Sequence, residues 1–130
     1  EIVSSGSRID SAITTPILEN IFFPKAPLHD GAVIIRDNRI HSAGCILPLT
    51  QSEMSLELGT RHRAAVGMSE NSDALIIVVS EESGQISVAQ GGVLERSITL
   101  GELLAALTDF LVSDESDEKG RKFRIIRRKR

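Results

Sequence analysis

Two short segments carry side chains suited to phosphate chemistry. The first, Pro27-Leu28-His29-Asp30-Gly31-Ala32, sets an imidazole and a carboxylate beside two small residues that leave room for a ligand to reach the backbone. The second, Gly59-Thr60-Arg61-His62-Arg63-Ala64-Ala65, follows about thirty residues later and offers an Arg-x-Arg pair whose forked donors fit phosphate oxygens. Together they read as a nucleotide-processing site. Asp30, beside Gly31, is a carboxylate with room to approach a ligand closely, as general base or through a metal. His29 offers an imidazole, which together with carboxylate and phosphate oxygens suits Mn²⁺ and tolerates Mg²⁺ or Co²⁺. Taken singly, each residue has a plainer reading: a turn aspartate, a solvated histidine or glutamate, a helix start with hydrated arginines.

The elements that must hold these groups follow from the surrounding pattern. Thr15 reads as a helix N-cap with Pro16 at the first helical position, and Ile17, Leu18, Ile21 and Phe22 share one face of a short helix that Pro24 ends. Ala32-Val33-Ile34-Ile35 reads as a buried strand, Asp37-Asn38 as a turn, and Arg39 to Leu47 as the hairpin partner. His29 and Asp30 then sit at a strand mouth. Arg61 to Met68 reads as a helix with its arginines in the first turn, where cations oppose the macrodipole; an anionic ligand joining the arginines and the free N–H groups would resolve that conflict. Ala74 to Ser80, Gln85 to Ala89 and Val93 to Ile98 read as strands separated by Glu81-Glu82-Ser83-Gly84 and Gly91-Gly92. Thr99 with Glu102 forms a capping box before the stripe Leu103, Leu104, Leu107, Phe110 and Leu111, which reads as core. The sum is an α/β single domain, a central mixed β-sheet of five to seven strands flanked by helices.

Composition narrows the function classes. A chain of 130 residues holds one core, burying roughly two-thirds of its unfolded surface. With four Phe and no Tyr or Trp, little is available for stacking on nucleic-acid bases. Residues 1–118 carry all 18 acids and only seven of the 15 Lys and Arg, so the body is a poor general binder of polyanions and extended nucleic-acid binding is not expected. The other eight basic residues fall in the last twelve positions, and the expected division is a domain over 1–112 followed by a charged, flexible tail over 113–130. That tail reads first as a solvated extension, with contact to anionic lipid as the alternative. The single Cys45 lies in an apolar strand pattern and reads as an inert buried thiol in a reducing compartment. No apolar run approaches the roughly 20 residues needed to cross a bilayer. Residues 1–7, polar and rich in Ser and Gly, are expected to be loosely ordered. A start at Glu1 suggests a fragment.

From about Ile9 to Leu111 the chain resembles the catalytic domain of the diadenylate cyclases, through the helix Pro16 to Phe22, the Asp30-Gly31-Ala32 and Arg61-His62-Arg63 motifs, Leu47-Pro48-Leu49, Val79 to Gly84 and the final amphipathic helix. Each tripeptide alone is weak; their order and spacing together are specific. The resemblance is to the membrane-associated housekeeping type, and implies a catalytic domain tethered at the cytoplasmic face of the cell membrane by a preceding membrane segment. It implies condensation of two ATP into cyclic di-AMP with release of two pyrophosphates, across a face-to-face homodimer. It assigns hydroxyl activation to Asp30 and phosphate contacts to Arg61 and Arg63, with Thr60 and Ser80 donating hydroxyl hydrogen bonds. His62 would orient the loop or the leaving pyrophosphate, and His29, Asp30 and Glu82 would bind the metal. Gly31 and Ala32 would floor the nucleotide, with Ile46 and Leu47 against adenine; relatives carry an aromatic near Ile46, so stacking here is weaker. A non-catalytic nucleotide-binding regulatory module and a metal-dependent nucleotide hydrolase are the competing classes.

Overall fold

Two tight turns set the registers of the sheet. Asp37 and Asn38, with φ of 54° and 59°, and Gly91 and Gly92, with φ of 59° and 84°, adopt the left-handed conformations that match a two-residue turn to the twist of a hairpin. The first joins β2 (Ala32–Arg36) to β3 (Arg39–Cys45), the second β5 (Ile86–Gln90) to β6 (Val93–Ile98). The computed structural model describes residues 2–47, 60–80, 83–116 and 124–129. Its other elements are β1 (Ser7–Ala12), α1 (Thr15–Ile21), α2 (Thr60–Glu70), β4 (Leu75–Ser80), α3 (Leu100–Ser116) and β7 (Arg124–Lys129), with a 3₁₀ turn at Val3–Ser5.

The strands form one seven-stranded mixed sheet in the order β1-β3-β2-β7-β4-β5-β6. Among the described residues only the β4–β7 pairing is parallel. The expected mixed α/β architecture is therefore what the chain adopts. Register sorts its faces, because residues directly paired across strands point the same way. Ile34 pairs with Ile125, Ile125 with Ile76 and Ile76 with Ala89. Ile34, Ile76 and Ala89 pack with Ala64, Ala65 and Met68 of α2 in one buried cluster. On the opposite face Val33 and Ile35 pack with Ile21 and Phe22 of α1, while Leu75 and Val88 pack with Phe110 of α3. Helix α2 thus covers one face, and α1 and α3 share the other.

Three expectations need correction. The α1 cap is Thr14, whose hydroxyl accepts from the Ile17 N–H at 3.3 Å, so Pro16 is the second helical residue. Of the stretch 1–7 expected to be loose, the described part from residue 2 holds a 3₁₀ turn that leads into β1, an edge strand beside β3. That strand was illegible as one because its pattern is polar and bulged, with Asp10 at φ 54°. The Arg39 Nε donates to Asp10 at 2.8 Å and holds its carboxyl below the usual range, and charge with a bulge protects such an edge from pairing elsewhere. Last, a boundary at 112 cuts through α3, and residues 124–129, expected in a flexible tail, form β7 between β2 and β4. Their basic composition hides the strand, which pairs antiparallel with β2 and parallel with β4.

Candidate functional site

Successive turns after α1 build the first arm of the site. The Ala26 carbonyl accepts both from the His29 backbone N–H, at 3.2 Å, and from His29 Nδ1, at 2.8 Å. A carbonyl can only accept, so in the neutral ring Nδ1 carries the proton and Nε2 holds the lone pair a metal would use. His29 is buried. Gly31, with φ 153°, lies so close to β3 that a Cβ there would sit 2.7 Å from Gly44 Cα and carbonyl carbon. This contact fixes where Asp30 emerges, immediately ahead of buried Ala32.

The second arm is the first turn of α2. Arg61 Nη2 donates to Asp30 Oδ1 at 2.5 Å, an ion pair linking two motifs 31 residues apart. The guanidinium side is 11% exposed and the carboxylate side 61%, so the cation is embedded and the acid faces solvent. The pair crosses the middle of the sheet, because Asp30 leads into β2 while α2 packs over β4, β5 and β6. Arg63 is partly buried, and its Nε has no hydrogen-bond partner among the described residues. An embedded, unsatisfied cation is costly and suits an anionic ligand.

The remaining expected residues divide. Ile46 is 71% exposed, its backbone N–H held by Ser5 Oγ at 2.9 Å, and is available to a ligand. Leu47 is buried in the cluster under α2, its side chain anchoring the segment that carries Ile46. Alternation along an extended segment sends the two opposite ways. Ser80, at the end of β4, is tied into the following turn, its Oγ accepting from the Ser83 N–H at 3.3 Å and its carbonyl from the Gly84 N–H at 2.8 Å. Thr60 opens α2, but its side chain lies outside the described residues, as do Glu82 and its neighbour Glu81. Among the described residues no three His, Cys, Asp or Glu side chains cluster to hold a metal. The donor chemistry of His29 and Asp30 fits a divalent cation, with Glu82 as the third expected ligand.

His62 is buried between the two arginines, its Nε2 3.4 Å from Ser87 Oγ on β5. Sequence reasoning missed Ser87 altogether; a small polar residue in an alternating strand reads as surface, and nothing local marks it as buried. Cys45, paired with Ala32, is buried as expected, and burial pushes its thiol up. A cleft of about 400 Å³ lined by Ile34, Arg36, Met68, Asn71 and Ser72 lies at the other end of α2, away from this chemistry.

Comparison with known proteins bears on this arrangement. Residues 1–94 match the family model DAC, described as the nucleotide-binding domain of the bacterial checkpoint controller DisA. The chain is similar to the diadenylate cyclase CdaS of Bacillus thuringiensis, 56% identical over 94 residues, covering 72% of this chain and 47% of that protein. It is also similar to the cyclic di-AMP synthase CdaA of Bacillus subtilis, 50% identical over 110 residues, covering 82% and 40%. The chain thus spans less than half the length of these curated relatives. Among solved structures it matches a double mutant of DacA from Staphylococcus aureus with a TM-score of 0.77 and 43% identity, covering 84% of this chain and 73% of that one. A hypothetical membrane spanning protein from Bacillus cereus matches with a TM-score of 0.69 and 55% identity, covering 73% and 47%.

Proposed function

The chain belongs to the DAC family of nucleotide-binding domains, and on that premise we propose that it is the catalytic domain of a diadenylate cyclase. It condenses two ATP into cyclic di-AMP and releases two pyrophosphates. Each ribose 3′-oxygen forms a bond to the other nucleotide's α-phosphorus, the bond to pyrophosphate breaks, and the hydroxyl proton passes to Asp30. The observation that carries this reading is the Asp30–Arg61 pair, which sets the acid and a phosphate-binding cation at one point from two distant motifs. Because a guanidinium carries five N–H donors, Arg61 can hold Asp30 and a phosphate oxygen together, and Arg63 takes a second oxygen. Thr60 and Ser80 donate hydroxyls to the phosphates, Gly31 and Ala32 leave room beneath the ribose, and Leu47 and Ile46 lie against adenine. His29, Asp30 and Glu82 would hold a divalent cation, Mn²⁺ best and Mg²⁺ or Co²⁺ also, which when bound neutralises phosphate charge and acidifies the hydroxyl.

Two domains face each other in a homodimer, since one domain presents one base and one nucleotide. The similarity to a protein described as membrane spanning supports a tether through a segment outside this sequence, with the domain at the cytoplasmic face of the membrane. The test is incubation of the purified chain with ATP and Mn²⁺ over a protein concentration series, with products resolved by mass. Cyclic di-AMP forming at a rate that rises faster than linearly with protein is expected. Asp30→Asn should abolish that product while ATP affinity stays within about tenfold, roughly 1.4 kcal/mol. ATP bound but unchanged with every metal would replace the cyclase by a nucleotide-binding regulatory module; released phosphate without a cyclic product would indicate a hydrolase.

A further inference from the structure

Ser87 occupies a position that packing alone would give to an apolar residue. It is 3% exposed, pairs with Val78 of β4 and faces the core beneath α2. A hydroxyl there is tolerated only with a partner, because removing it from water unpaired costs about 1–3 kcal/mol. Its partner is His62 Nε2, at 3.4 Å. The neighbouring ladder is irregular at this point: Ile86 pairs with Ile98 and Val88 with Glu95, so two residues of β6, Arg96 and Ser97, oppose Ser87, and Ser97 takes φ 56°. Bulges of this kind re-aim the side chains beside them.

We propose that Ser87 is a positioning residue which, through His62, fixes the rotation of the first turn of α2 and so aims both Arg61 and Arg63. Neighbours on a helix are about 100° apart around its axis, so a histidine seated inward on the sheet splays the residues before and after it to opposite sides. Arg61 meets Asp30 on one side; the same spacing directs Arg63, whose Nε has no hydrogen-bond partner among the described residues, to the other. His62 is then a keel between two phosphate-binding oars, buried and away from the reacting atoms. The catalytic part of this inference rests on the cyclase reading; the geometric part does not.

The test separates them. Ring ¹H–¹⁵N spectra of the full chain are tractable because it holds three histidines, and Ser87→Ala should shift the His62 ring signals while those of His29 and His41 stay in place. ATP affinity should fall measurably, by up to about tenfold, since the coupling cannot exceed the worth of the hydrogen bond that carries it. Ser87→Thr, which keeps the hydroxyl, should recover most of it. In the pair Ser87→Ala and His62→Ala, the double variant should bind ATP no worse than His62→Ala alone. If the chain binds ATP with these dependences and forms no cyclic di-AMP, the cyclase reading fails and the positioning role stands. Unmoved His62 signals, an unchanged ATP affinity, or losses that multiply in the double variant would each overturn the role of Ser87.

Discussion

Helices α2 and α3 pack on opposite faces of one sheet and are built on opposite plans. Helix α3 has every local signal of a helix: Thr99 and Glu102 exchange hydrogen bonds of 2.9 and 3.0 Å in a capping box, and leucines fill its length. Yet it leaves Leu100 and Leu104 exposed at 74% and 66%, while Leu103, Leu107 and Phe110 pack against Leu75 and Val88 of the sheet. Helix α2 has no acid in its first turn and two arginines there instead, and its apolar residues are small; it is nevertheless buried from His62 to Ser69 apart from partly exposed Arg63. Its far end is fastened by side chains, Asn71 Nδ2 donating to the Gly67 carbonyl and Ser72 Oγ to that of Met68, while Ser69 Oγ accepts from the Gly92 N–H at 3.0 Å. The difference teaches that depth of burial follows from what an element must hold in place rather than from its own hydrophobicity. Alanines let the α2 backbone come close to the sheet, and closeness brings Arg61 to Asp30.

The comparison can be pressed from its strongest consequence downward. Phe110→Ala should be the most damaging single change in α3, lowering stability by about 3–5 kcal/mol in denaturant unfolding, because the ring is its main anchor in the core. ATP affinity should survive wherever the variant remains folded. Ala65→Leu, in α2, should cost less stability, about 1–3 kcal/mol from overpacking at a fully buried site, but should weaken ATP binding as well, since lifting α2 moves Arg61 and Arg63. An affinity equal to that of the parent would mean that the arginines do not depend on the α2–sheet distance. Leu104→Ser should lie within about 0.5 kcal/mol of the parent in the same assay, as exposed positions do.

The smallest expected effect is on pH. Burial raises the Cys45 thiol, so its contribution to stability is complete below the ordinary thiol value and is lost as pH rises through the folded one. Stability measured on the alkaline side should decline slightly more in the parent than in Cys45→Ala, and a thiol reagent should label the native chain only as fast as it opens.

What could be read beforehand follows from the same contrast. Both two-residue turns, the α3 capping box and the Asp30 and Arg61 motifs are signalled by residues close together in sequence. The fully apolar runs of β2 and β4 declare a buried strand without help from their neighbours. Strands β1 and β7 carry no such pattern: one is a polar, bulged edge, and the other is mostly basic and is made a strand by partners distant in sequence. Within the site, the pattern does not tell that Leu47 is buried and Ile46 exposed, because which of two adjacent residues turns inward depends on the registers of other strands. Ser87 was invisible for the same reason.

The place of β7 bears on how the site comes into being. In chain order, the hairpin bearing Asp30 and the segment bearing Arg61 both precede the strand that lies between them. Val33 must find Ile126, far along the chain, before the ladder is continuous, and such closures are entropically expensive and slow relative to hairpins. The contact between Asp30 and Arg61 is therefore expected late in folding, as a report that the whole sheet has assembled, while either half on its own carries only one of the two charges.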